Sequence, residues 1–162
     1  MAAVGCESIS FSLENASPEI LAAMNKKMRV PQFIEQSHVL WAGGVTPRTS
    51  IIFGYPQETV ETIRRTIKVC EECNIFPSTG FLLPLPGTPI YDWAKEHGHI
   101  TDEIGYLERI GDRQDLHINL TLMSDVEFIV AVESQLTELA AKQGLTLDSV
   151  FKTVTYQKPK IS

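Results

Sequence analysis

Three times between residues 8 and 96, a short β-like run is followed by a stretch with helical spacing. That alternation is the signature of βα units around a parallel sheet, and it restricts the chain to α/β architectures more firmly than any other feature does. Ser8-Ile-Ser-Phe-Ser-Leu13 alternates polar and apolar residues and predicts the first strand. Ser17-Pro18-Glu19 combines a capping hydroxyl, a proline suited to the first helical position and an acid for the first turn, so a helix is expected to run to about Lys26. A second helix is expected from near Pro31, carrying Phe33, Ile34 and Trp41, until Gly43-Gly44 stops it. The next strand is placed at 48–53. From Gln57 to Asn74, Val60, Ile63, Ile67 and Cys70 recur at helical spacing, with Glu61, Arg64, Arg65, Lys68 and Glu72 on the other faces. Phe76 to Leu85 reads as the third strand, core 76–84, ended by Pro84-Leu-Pro-Gly-Thr-Pro89, and a helix is expected from Ile90 to about Glu96.

After Gly98 the alternation stops. Thr101 is expected to cap a helix through about Ile110, and Ser124 to cap a long one from Asp125 to Lys142, closed by Gly144. Leu116, Ile118, Leu120 and Leu122 alternate as in a strand or extended segment packed on that helix. The basic tail around Lys158-Pro159-Lys160 is expected to fray. The fold class read from this pattern is α/β, with three parallel βα units over 1–100 followed by a mainly helical extension over 101–162.

Composition removes several functions. A net charge of −6, with no Lys or Arg stripe, argues against nucleic acid as a direct partner. No apolar stretch approaches the roughly 20 residues needed to span a bilayer, and the start of the chain lacks the pattern of a signal peptide, so the cytoplasm is the expected setting. Three cysteines make no disulfide framework. Cys70 and Cys73 fall inside a helix and are read as ordinary thiols, one of them buried, and Cys6 as a packing residue. His97-Gly-His99 is read as a solvated pair, and Trp41, Trp93, Met24 and Met28 as core or sheet-covering residues.

In parallel α/β folds, ligands gather at the carboxyl ends of the strands. Those ends here are Glu14-Asn15, Gly54-Tyr-Pro-Gln-Glu58 and Pro84–Pro89. A glycine at 54 permits close backbone approach, Glu58 is placed in the first turn of the next helix, and the proline-rich turns are stiff.

The runs Ile9-Ser-Phe-Ser-Leu-Glu14, Met24-Asn-Lys26, Ser50-Ile-Ile-Phe-Gly-Tyr-Pro-Gln-Glu-Thr59 and Leu83-Pro-Leu-Pro-Gly-Thr-Pro-Ile-Tyr91 resemble, in that order and spacing, the fourth to sixth strands of radical S-adenosylmethionine enzymes. The likeness runs from about Gly5 to Ile100 and is greatest to the subgroup that adds a cobalamin-binding domain, which includes magnesium-protoporphyrin monomethyl ester cyclases and methyltransferases; methylthiotransferases share the barrel. It implies a six-stranded βα barrel, of which residues 1–100 would form a partial, TIM-like (βα) half. Ser12 and Glu14 then fall at the ribose and methionine side of S-adenosylmethionine, Ile52 and Gly54 at the adenine side, and Leu83 to Leu85 near the adenine edge, while Glu58 holds its turn without touching ligand. The family commonly has glycine where Ser12 and Ser50 stand, and serine at Asn15.

The Cys-x-x-x-Cys-x-x-Cys loop that would hold a [4Fe–4S] cluster is not in this sequence. Gly5-Cys6 reads as the end of the helix before the fourth strand. The chain is therefore expected to be a fragment that begins in mid-domain and supplies the nucleoside-facing wall of an oxidoreductase, cyclase or methyltransferase. S-adenosylmethionine, the cluster and, in the subgroup, cobalamin belong to the parent enzyme; none is expected on this chain alone, which is expected not to catalyse. Its expected partners are the missing N-terminal half of the barrel and a second copy paired through open sheet edges. The rival readings are a free-standing small-molecule-binding α/β domain and a module that docks a partner through its long C-terminal helix.

Overall fold

A computed structural model describes residues 2–149 and 153–155. A 3-10 turn, Ala2–Val4, leads through Gly5 into β1 (Ser8–Ser10). There follow α1 (Pro18–Ala23), α2 (Val30–Ala42), β2 (Thr46–Arg48), β3 (Ser50–Phe53), α3 (Val60–Glu72) and β4 (Ser78–Phe81). The chain continues through α4 (Pro89–Glu96), α5 (Glu103–Arg109), α6 (Asp125–Lys142), β5 (Thr146–Ser149) and β6 (Thr153–Thr155). The result is a mixed α/β fold of six helices and short parallel pairings among the described residues.

β1 pairs with β2 and β3 with β4, both in parallel. The strand expected at 48–53 begins earlier and is broken at Thr49. Ser10 opposes Arg48 but Glu14 opposes Ile51, so the first segment spends one more residue than its partner over that stretch. An extra residue disrupts the ladder locally, and here the Thr49 hydroxyl fills the gap by accepting from Leu13 N at 2.8 Å. For the same reason the first strand is regular only to Ser10, although Phe11 N still donates to Arg48 O and Glu14 N to Ser50 O, both at 3.0 Å. The third strand is shorter than predicted, at Ser78–Phe81, because Phe76-Pro77 and Pro84 flank it. Pro47 sits within β2 without loss, since Thr46 N bonds to Glu7 O and Phe11 N to Arg48 O, leaving the proline nitrogen on the side away from β1.

One face of these strands is apolar. Ile51, Phe53, Leu13 and Phe81 are almost fully buried against Phe33 of α2, Ile63, Ile67 and Cys70 of α3, and Phe128, Val132, Leu136 and Leu139 of α6. Each such side chain contributes about 1.5–3 kcal/mol of transfer free energy. Val60, expected on this face, is 43% exposed, and Thr62 and Thr66 are buried in its place. Cys70 in α3 and Cys73 at its C-cap are both buried, where one was expected to be. A second cluster joins Leu82, Tyr91, Ala94 and Ile100 to Tyr106 and Leu120, with Ile52 and Tyr55 against it.

The helix starts refine the sequence reading. Ser124 forms the expected capping box with Glu127, and Gly144 closes α6 at φ +66°. Ser17 precedes α1 in extended geometry, but its hydroxyl makes no cap bond. Asp102, not Thr101, caps α5, because its carboxylate accepts from Gly105 N at 3.0 Å. Residues 116–122 form no strand; Leu116 packs on the layer that includes α6, Ile118 and Leu120 join the second cluster, and Leu122 is fully exposed. Trp41 is 39% exposed, covering the core edge while its Nε1 donates to Cys73 O at 2.8 Å. His97 and His99 are not merely solvated; both rings stack on Trp93, at 4.0 and 5.5 Å. The extension is not only helical, since β5 and β6 form an antiparallel pair. The Lys158-Pro159-Lys160 tail lies outside the described residues.

Candidate functional site

At the carboxyl ends of the strands the chain turns away from the apolar layer, and these turns are tied to one another. Glu14 adopts φ +60°, a left-handed conformation that costs a non-glycine residue about 1–3 kcal/mol. It is held there by neighbours on β3, with Glu14 N donating to Ser50 O and Ile52 N to Glu14 O at 2.8 Å. Its side chain is about one-fifth exposed, and Lys26 Nζ lies 3.0 Å from its Oε1. The Glu14 charge, together with burial as the larger cause, raises the Tyr55 hydroxyl above its ordinary pKa. Glu14, Ile52, Lys26 and Tyr55 thus occupy one end of the strands.

Beneath them runs a buried polar network. Asn15 is fully buried; its Nδ2 donates to Glu58 Oε2 at 3.3 Å, and its Oδ1 accepts from Ser17 N at 2.9 Å and from Thr66 Oγ1 at 3.3 Å. Glu58 also accepts from Gly54 N at 3.3 Å and from the Thr62 hydroxyl. It stands before the N-cap Thr59 and not in the first helical turn as expected. From there its carboxylate braces the turn after β3 against the turn after β1. Burial pushes its pKa up to about 7 despite the three hydrogen bonds that oppose the shift.

Gly54 has φ +118°, and a Cβ there would lie 3.4 Å from Leu82 and 3.6 Å from Phe128, so the close approach at this glycine is made by side chains of the fold. Leu83 is partly buried, and Leu85 is 47% exposed across the following turn. That turn is fastened by Thr88 Oγ1 to Leu85 O at 2.7 Å and by Tyr106 Oη to Pro84 O at 2.8 Å. Ser12 is exposed on β1's continuation. Of the six sequence candidates, Glu14 and Ile52 are directly bonded; Gly54 joins them through Glu58 and Asn15. Leu83 follows Leu82, whose N donates to Phe53 O at 2.8 Å.

Lys26, Tyr55 and Tyr106 were not singled out as site residues. Thr62 and Thr66, one helical turn apart on the buried face of α3, were the sequence signal for the network, since buried hydroxyls need partners.

Among the described residues no group of three or more His, Cys, Asp or Glu is placed to hold a metal ion. Cys70 is buried in α3, Cys73 is buried at its C-cap and not inside the helix, and Cys6 lies before β1, so these thiols do not fit a cluster loop. The Cys70 thiol is pushed up by burial, away from the thiolate that iron requires.

No family model matches the chain. It is 32% identical over 91 residues to an uncharacterized methyltransferase of Pyrococcus horikoshii, covering 56% of this chain and 20% of that protein. It is 26% identical over 126 residues to a tRNA-2-methylthio-N(6)-dimethylallyladenosine synthase of Sulfurihydrogenibium, covering 76% of this chain and 28% of the relative. Coproporphyrinogen III oxidase of Escherichia coli, described as a radical S-adenosylmethionine enzyme, shares the fold over 90% of this chain and 29% of its own, at TM-score 0.60 and 16% identity. The chain is a relative of the radical S-adenosylmethionine enzymes. It spans only 20% and 28% of the length of these two curated relatives. No helix among the described residues is long and apolar enough to cross a membrane.

Proposed function

We propose that residues 1–100 are strands four to six of a radical S-adenosylmethionine barrel and form the nucleoside-facing wall of its active site, with 101–162 as an extension that braces it. One observation carries this reading: Glu14, held in a left-handed conformation at a strand end, shares that end with Ile52 and Tyr55 in a relative of enzymes of this class. A residue fixed in a costly backbone state by its neighbours marks a functional position.

The residues fit S-adenosylmethionine and do not fit the cluster. Glu14 accepts one bond from Lys26 and keeps further acceptor positions for ribose hydroxyls or an ammonium group. Ile52 and Leu83 offer partly buried apolar surface to adenine. The buried Asn15–Glu58 pair fixes how far the two turns stand apart. When bound in the parent enzyme, S-adenosylmethionine supplies the radical chemistry, and the protein's part is to bind and orient it. Three cysteines so placed cannot hold a [4Fe–4S] cluster, so that group is assigned to another part of the parent enzyme.

The same reading assigns the chain to the cytoplasm, consistent with its three free thiols. It also assigns pairing of open strand edges to the rest of the barrel or a second copy. A cobalamin in the parent would register as a corrinoid absorbance band in the purified full-length protein. The test is the polypeptide that contains these residues. The reading stands if its frame encodes a Cys-x-x-x-Cys-x-x-Cys loop roughly 100 to 150 residues before Ser8, as ordinary βα lengths require, and if reconstitution yields 5′-deoxyadenosine. A frame without that loop overturns it.

A further inference from the structure

Toward the other end of the same strands lies a feature that the nucleoside reading does not use. Strands of a parallel sheet covered on both sides are apolar on both faces. Here, side chains alternate between the buried layer and an opposite face that presents Ser10, Arg48, Ser50 and Ser78. Ser50 directly opposes Ser78. A face of hydroxyls and guanidinium groups in a chain of net charge −6 is matched to something polar and negative.

Arg113, from the loop between α5 and α6, is fitted to β4 at three of its four residues. Its carbonyl accepts from Phe81 N at 2.6 Å, its Nη2 donates to Ser78 Oγ at 3.0 Å, and its stem lies over Gly80, where a Cβ would stand 2.9 Å from Cδ and 3.0 Å from Cγ. Glycine at 80 leaves room for that stem. The loop is closed on itself by Gly111 N to His117 Nε2 at 3.1 Å and Asp115 N to Asp112 O at 3.0 Å. The Asp112 carboxylate is turned to Gln114 N at 3.0 Å. Among the described residues neither Arg113 nor Arg48 is in an ion pair. Arg48 precedes Ser50 by two residues; at about 3.3 Å per residue and about 4.8 Å between strands, its Cα is about 8 Å from that of Ser78, within reach of a long side chain. Ser78, accepting from Arg113, keeps its own hydroxyl proton to donate.

We propose that this face binds an oxyanion, a carboxylate or phosphoryl group, with Arg113 as the forked donor, Arg48 as the second cation and Ser78 as a hydroxyl donor. That the anion is the acidic end of the enzyme's substrate rests on the radical-enzyme reading; the anion site itself does not.

The test is an NMR titration of the ¹⁵N-labelled chain, following arginine Nε–Hε and backbone amide signals, with sodium phosphate, sodium acetate and, at matched ionic strength, sodium chloride. The expected result is a saturable shift of Arg113, Ser78 and Gly80 with phosphate or acetate and none with chloride; which of the two saturates first identifies the group. Arg113→Gln is expected to weaken binding at least about tenfold, as loss of a charge-assisted pair does, and Arg113→Lys to weaken it less. If Arg113→Gln does not fold, Arg48→Gln, at an exposed position, takes its place, with a fewfold loss expected. Shifts that follow ionic strength alone, or binding unchanged in the folded variants, overturn the proposal. Neither S-adenosylmethionine nor iron enters this experiment, so its failure leaves the nucleoside reading standing, and failure of that reading leaves the anion site.

Discussion

Asn15 and Glu58, 43 residues apart in sequence, meet in the interior, where Asn15 Nδ2 donates to Glu58 Oε2 at 3.3 Å. The bond ties the turn after β1 to the turn after β3, and Gly54 N shares the same carboxylate oxygen. Its consequence is a pH-dependent stability. Burial raises Glu58 from 4.5 to about 7, so the folded state holds a proton that the unfolded state has released across that interval. Stability from this group is fully present below about pH 4.5 and is lost as pH rises to about 7, by about 3 kcal/mol in total. Glu58→Gln, which keeps an oxygen for Gly54 and Asn15, is expected to flatten that part of a urea-denaturation profile. Glu58→Ala orphans two buried donors and is expected to cost about 2–4 kcal/mol at pH 7.

Two hydroxyls with similar sequence signatures differ in what they do. Ser124 caps α6 and Ser17 makes no cap bond, so Ser124→Ala is expected to cost about 1 kcal/mol and Ser17→Ala less than about 0.5 kcal/mol by chemical denaturation. Thr79 Oγ1 is buried without a hydrogen-bond partner. Thr79→Val is therefore expected to be neutral or stabilising by up to about 1 kcal/mol.

That contrast shows what the sequence could and could not reveal. The helices at 60–72 and 125–142 were legible from apolar spacing and from Ser124 with Glu127 three residues on. The break at Thr49 was not, because it follows from an extra residue in a different strand, and a pairing register is a property of two segments. Among site residues, Glu14 and Gly54 stood out as a charge and a glycine at strand ends. Tyr106 did not, since its bond to Pro84 spans 22 residues and nothing local announces it.

Among the described residues β1 is paired with β2 alone and β4 with β3 alone. Phe81 N is met by Arg113 O, so the extension covers part of the β4 side, but one helix cannot supply backbone partners along two edges. Sedimentation velocity is expected to show concentration-dependent self-association of the isolated chain; a monomer at all concentrations would refute it.

The chain alone is expected to take up no stoichiometric iron after anaerobic reconstitution and to form no 5′-deoxyadenosine. Its thiols are one buried in α3, one buried at the C-cap of that helix and one before β1, and a cluster needs thiolates converging on one site. A brown, active preparation would contradict this.

The most direct measurement of the wall itself is steady-state 5′-deoxyadenosine formation by the full-length, cluster-loaded protein and its Glu14→Gln variant. Loss of the Glu14 charge is expected to raise KM for S-adenosylmethionine about tenfold, corresponding to one charge-assisted hydrogen bond, with iron content unchanged and kcat affected less. An unchanged KM in a folded, fully loaded variant would contradict the placement of Glu14 against the nucleoside and, with it, the account of this chain as the wall of the site.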